Sequence, residues 1–230
     1  MATPSLLLLL ADGRFPAGAH AHSGGLEAAV AAGRVTDLAS LEAFLAGRLA
    51  TAGLVGAAFA AAAHRAGAPA ESAARSDALA RLDAELDART AAPALRAVSR
   101  RQGRALLRAG RAIWSDAPFA DLPATPGGAH QPLVLGLLCA AAGLSRVETA
   151  TIAAYGTLTG AASAGVRLLG LDPYQVQALL VGLAEACDGT AADAARAADD
   201  PPERLPAAAA PLADIHAEIH ATWEVRLFAS

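Results

Sequence analysis

Aromatic side chains make up only 4% of the 230 residues, and β-branched residues are sparse. Sheets draw on those two classes, so a β-rich fold is excluded and the chain reads as all-α. Only two cysteines are present, Cys139 and Cys187, both in apolar or Ala-rich stretches. They form neither a disulfide framework nor a CxxC metal pair, and a reducing, cytoplasmic setting suits them. Positive charge is not in excess: the formal net charge is −4 and the pI is near 5.8. That balance argues against a general nucleic-acid binder, whose affinity comes mainly from neutralising phosphates.

No apolar run reaches the roughly 18 residues a bilayer crossing needs. The longest, from Leu49 to Ala63, is rich in Ala and Gly and reads as a buried helix. A secretory leader is imitated by the run from Leu6 to Ala11 and by Ala19-His20-Ala21. No Lys or Arg precedes that run, it is short, and Asp12 and Arg14 interrupt it, so no leader is expected. Enzyme signatures are missing as well. There is no GxSxG elbow, phosphate loop or HExxH, no cofactor motif, and Ser23 beside His22 is only proximity in sequence.

What is present is material for packed helices: 54% of the residues are apolar, mostly Ala and Leu. We expect one compact helical, bundle-like domain over 1–230, with about eight to ten helices. An irregular N-terminal segment (1–22), loops at 116–132 and 188–210, and a tail (226–230) complete the expected outline. Gly and Pro in Asp12-Gly13-Arg14-Phe15-Pro16-Ala17-Gly18 give the bent start, and a short helix follows from Ser23 or Gly24 to Ala32. Asp37 caps a long helix carrying Leu38, Leu41, Leu45 and Leu49, closed by residues 67–69. A further helix lies between about Glu71 and Thr90.

In the next helix Leu95, Val98, Gln102, Leu106, Ala109 and Ile113 share one face. Arg96, Arg100, Arg104, Arg108 and Arg111 line another, read first as solvated, then as a partner surface, and last as an RNA contact. In the second half a buried helix runs from Pro132 to Ala142, and Ser145 with Glu148 forms a capping box. Asp172-Pro173 starts a helix over Tyr174 to Ala186. Residues 199–206 form a Pro-rich connector. The last helix carries Leu212, Ile215, Ile219 and Trp223 on one stripe. The small-residue segments 47–56 and 156–165 read as close helix packing.

Two histidine pairs, His20/His22 and His216/His220, have spacings that could present two imidazoles to one metal ion. A metal-dependent hydrolase built on all four is the alternative reading. Two nitrogens make an incomplete site, so structural or interface roles weigh more. The tail is unusual, because Leu227 and Phe228 are apolar where a chain end ordinarily frays. Leaving such side chains in water forgoes burial worth about 1.5–3 kcal/mol each. They are expected to dock on the core or on a partner, as are Phe15 and Pro16.

The stretch from Phe15-Pro16-Ala17-Gly18 through His22-Ser23-Gly24-Gly25-Leu26-Glu27 resembles the UreF signature LPxGxFxHSxGLE, after a Leu-rich opening. Leu95-Arg96-Ala97 with Ser99, Gly103 and Leu106-Leu107 is similar to the family's mid-chain Arg-containing helix. His130-Gln131-Pro132, Val166-Arg167-Leu168, and His220 with Arg226-Leu227-Phe228-Ala229-Ser230 follow in the family's order, so the resemblance spans the chain. Phe15 stands where Leu is usual, His20 where an aromatic is common, and 169–173 lacks the P-L-G-Q sequence.

The resemblance implies a helical, non-catalytic urease accessory protein that dimerises and binds UreD (also called UreH). With it the protein recruits the nickel-binding GTPase UreG, and so helps load nickel into the carbamylated-lysine centre of apo-urease. It also implies partner-binding roles for Phe15, His22, Ser23, Glu27, Arg226, Leu227 and Phe228, with Leu227 and Phe228 as apolar anchors and Arg226 as a charge-assisted donor.

Overall fold

The computed structural model describes residues 3–16, 18, 21–68 and 71–229. Among these the chain is all-α, without strands. The α-helices are α1 (Pro4–Ala11), α2 (Leu26–Ala31), α3 (Leu38–Arg48), α4 (Leu54–Ala66), α5 (Ser72–Arg89), α6 (Pro93–Ile113), α7 (Gln131–Ala141), α8 (Arg146–Leu169), α9 (Pro173–Gly182), α10 (Ala184–Ala197) and α11 (Pro211–Ala221). A π-turn at Leu49–Gly53 joins α3 to α4 in one continuous rod, giving ten helices among the described residues.

The starts of these helices follow local chemistry. The Asp37 carboxylate accepts the Ser40 amide at 2.8 Å, and the Ser40 hydroxyl returns a contact to the Asp37 amide at 3.0 Å. Ser145 and Glu148 form the same reciprocal box, the Glu148 carboxylate accepting the Ser145 amide at 2.7 Å. Asp172 accepts the Tyr174 amide at 2.9 Å ahead of α9. Each satisfies amides that a helix start leaves without partners.

The core is built on α4. Every residue from 57 to 63 is buried, six of them alanines around Phe59. The rod 38–66 is long and apolar enough by composition to cross a membrane, but its C-terminal half is enclosed by α7, α8 and α10. Small side chains let these helices approach closely. A Cβ on Gly136 of α7 would stand 2.3 Å from the Ala60 carbonyl, and one on Gly103 of α6 would stand 2.2 Å from the Ala129 carbonyl. Neither position has room for a side chain.

The structure corrects several expectations. The first segment is not irregular throughout: Pro4 at the first helical position and five leucines make α1, and the chain breaks only after Ala11. The reading of a loop over 188–210 fails, because α10 continues to Ala197 and buries Cys187, Ala191, Ala194 and Ala195 against its neighbours. The helix read from Tyr174 to Ala186 is two helices meeting at Leu183.

The Arg face of α6 is not simply solvated. Arg96 donates to the Thr90 and Ala91 carbonyls at 2.6 and 3.0 Å, Arg104 to the Gly127 carbonyl, and Arg100 is drawn into a buried cluster. The apolar face of the same helix is only half-buried at Leu95 and Val98, and the tight seam runs through Gly103, Leu106 and Gly110 instead.

That cluster centres on Arg100, which donates to Asp83 (3.0 Å), Asp87 (2.8 Å), the Thr125 hydroxyl (2.9 Å) and the Gly128 carbonyl (2.6 Å). The fully buried His130 reaches Asp87 through Nε2 at 3.1 Å and Ser99 through Nδ1 at 3.0 Å. Its amide donates to Asp83 at 3.0 Å. Ser, His and Asp are hydrogen-bonded in a row, but the Ser99 hydroxyl also accepts the Gln131 amide at 3.3 Å and Asp87 is held by Arg100. The row ties the 114–130 loop and the start of α7 to α5 and α6.

Candidate partner-binding site around the Glu27 carboxylate

Residues 23–28 enter α2 through two left-handed glycines, Gly24 (φ 64°) and Gly25 (φ 89°). The Ser23 hydroxyl, fully buried, accepts the Glu27 amide at 3.3 Å and serves as a partner for the first turn. Glu27 is itself 8% exposed, which a carboxylate tolerates only when its oxygens are occupied. They are. Oε1 accepts the Leu227 amide at 2.8 Å, and Oε2 accepts the Phe228 amide at 3.0 Å and contacts His220 Nε2 at 3.0 Å. Burial alone would raise the Glu27 pKa, but the two tail amides and the imidazole outweigh it and hold the carboxyl below its ordinary value.

The tail is therefore read by its backbone. The Ala229 amide adds a bond of 2.7 Å to the Ala21 carbonyl. Side chains then alternate: Phe228 is 5% exposed and sits under the Arg167 guanidinium, 5.1 Å from the ring centroid, while Leu227 is 67% exposed. Arg226 and Val225 also face water. His220 stacks at a tilt on Trp223, with ring centroids 4.8 Å apart.

The helix before the tail is oriented by its polar face. Glu218 caps α6 by accepting the Ala94 amide at 2.7 Å, and α11 packs on α6 and α2. Leu212, Ile215 and Ile219 are left about half exposed, and Leu227 is also outward.

Of the residues singled out in the sequence, Ser23, Glu27, Phe228 and His220 converge here. Phe15 is buried but belongs to the core beside α1, and Phe228, expected as an anchor, is anchored within this chain. Arg226 and Leu227 remain outward. His22 lines the adjoining cleft. His20 lies outside the described residues. Of the His216/His220 pair, His220 is engaged through Nε2 by Glu27, and no group of three or more potential metal ligands occurs among the described residues. The Glu27–His220 contact spans 193 positions, and no local pattern could have announced it.

Comparison with known proteins agrees along the whole chain. The UreF family model matches residues 35–184. The chain is 44% identical over 230 residues to the urease accessory protein UreF of Mycolicibacterium vanbaalenii, with both chains covered completely. It is 46% identical over 230 residues to that of Mycobacterium sp. (strain JLS), again over all of both. Against the Mycobacterium tuberculosis H37Rv protein of the same description it is 45% identical over 194 residues, 84% of this chain and 86% of that one.

Proposed function

The chain belongs to the UreF family of urease accessory proteins, and from that premise we propose that it is a non-catalytic adaptor. With UreD (UreH) it recruits the GTPase UreG, so that nickel, the cargo, is inserted into apo-urease. The observation that carries this reading is the number of large apolar side chains left in water on α11 and the tail it leads into: Leu212, Ile215 and Ile219, then Val225 and Leu227. Exposed apolar side chains concentrated on one short segment favour a protein–protein contact.

In this reading Glu27, Ser23 and Phe228 hold the tail in place, while Leu227 supplies an apolar contact and Arg226 a charge-assisted donor to an acidic group. His22 lines the cleft beside the turn, and Phe15 is buried in the core. The adaptor acts in the cytoplasm and as a homodimer within the complex. It holds no cofactor of its own. The two buried, unpaired cysteines suit a reducing compartment.

The test is co-purification of the full chain, and of one lacking residues 226–230, with UreD and UreG, read out by urease activation. The full chain is expected to assemble and activate, and the truncated one to lose both. If the full chain binds neither protein, the adaptor reading fails.

A further inference from the structure

A cleft of about 1390 Å³ runs beside the Glu27 turn, and among its lining residues are His22, Gly24, Arg48, Thr157, Arg167 and Phe228. Arg48 ends α3 immediately before the π-turn, an irregularity that recurs at functional sites. Its guanidinium lies against Gly24: a Cβ there would stand 2.8 Å from Nη2 and 2.9 Å from Cζ, and the φ of 64° is itself one that favours glycine. Nη1 donates to the Gly24 carbonyl, but Nε is buried with no hydrogen-bond partner.

Among the described residues no carboxylate approaches this cation within ion-pair distance. Its other compensation is the Phe44 ring, 6.0 Å from Cζ. Burial pushes its pKa down to about 10. Arg167, which lines the same cleft, likewise has no ion pair among the described residues and rests on Phe228. An uncompensated cation facing an open cleft is a costly arrangement, and one that an incoming anion relieves. Every fixed positive side chain in this protein is arginine, the side chain whose planar fork matches a carboxylate.

We propose that Arg48, assisted by Arg167, is a binding site for a carboxylate-bearing ligand that enters this cleft. The guanidinium supplies the charge and the planar donors, among them the Nε that has no hydrogen-bond partner. The proposal does not depend on the adaptor reading.

Thermal unfolding of the full-length chain tests it, at constant ionic strength, with chloride replaced by succinate or by a hexaglutamate peptide at equal carboxylate concentration. The expected result is a rise of roughly 2–4 °C in Tm with at least one of them. The rise should be absent in Arg48→Met. Ligand-free Arg48→Met should unfold at or above the wild-type temperature, because the change removes an unpaired charge. A rise with hexaglutamate alone assigns the site to an acidic segment of a partner protein, and a rise with both assigns it to small carboxylates also. No rise with either probe overturns the proposal. So does an Arg48→Met protein that unfolds several degrees below wild type, since the arginine would then be a structural donor to Gly24.

Discussion

Two buried side chains fasten distant pieces of this chain, and they do it in opposite ways. Arg100 gathers Asp83, Asp87, Thr125 and Gly128, none more than 28 positions away, into a cation-centred cluster with its side chain 12% exposed. Glu27 gathers His220, Leu227 and Phe228, 193 to 201 positions away, around an anion. The first fixes a loop between helices of the core. The second fixes a chain end whose next residues face water. A segment held by backbone amides keeps its side chains free, and Leu227 is accordingly outward while its amide is buried in the latch.

The largest difference should appear when each centre is removed. Arg100→Met leaves the buried Asp83 carboxylate without its partner and should lower global stability by about 3–5 kcal/mol, measured by denaturant unfolding. Glu27→Gln keeps the volume but removes the charge and puts a carboxamide NH2 donor where one tail N–H needs an acceptor. It should cost about 2–3 kcal/mol. Its signature is local: hydrogen exchange should quicken at Leu227 and Phe228 and stay unchanged in α4. Uniformly faster exchange through α4 would mean that the tail is part of the core and would erase the contrast.

Acid should separate the two as well. Burial dominates the lowering of the His130 pKa from the ordinary 6.5, so the fold holds the neutral imidazole and the unfolded chain takes up the proton first. The stability this contributes is complete above 6.5 and declines as pH falls below it. Glu27 is also lowered, from an ordinary 4.5, so its contribution is complete above 4.5 and is lost as pH falls through the folded value. The core cluster should therefore weaken first on acidification and the tail latch second, a sequence visible by NMR titration. The smallest stability effect belongs to Leu227→Ser, within about 0.5 kcal/mol because the side chain is exposed. The same change should weaken co-purification with UreD and UreG.

Much of this was legible in the residues. The capping pairs at Asp37 and Ser145, the proline starts at 132 and 173, and the core stripe Leu41, Leu45 and Leu49 are local patterns, and the structure keeps them. The apolar tail and Phe15 with Pro16 are legible as docking segments from their apolar residues; the structure buries Phe228 and Phe15 within this chain and leaves Leu227 outward. The inward helix 184–197 was missed because its apolar content is nearly all alanine, which is a weak burial signal beside Asp and Gly. The Arg face of α6 was misread because a charged stripe looks the same whether it meets water or carbonyls from a loop.

The sequence by itself determined that the chain is helical and where most helices begin, since caps, prolines and helix propensity act within a few residues. Only the tertiary structure decided which polar groups meet. Glu27 finds His220 and the Phe228 amide, and Arg48 finds no carboxylate among the described residues, because those outcomes depend on how helices far apart in the chain are stacked. Packing of whole helices decides which charge is answered and which is left facing a cleft, and no window of neighbouring residues contains that information.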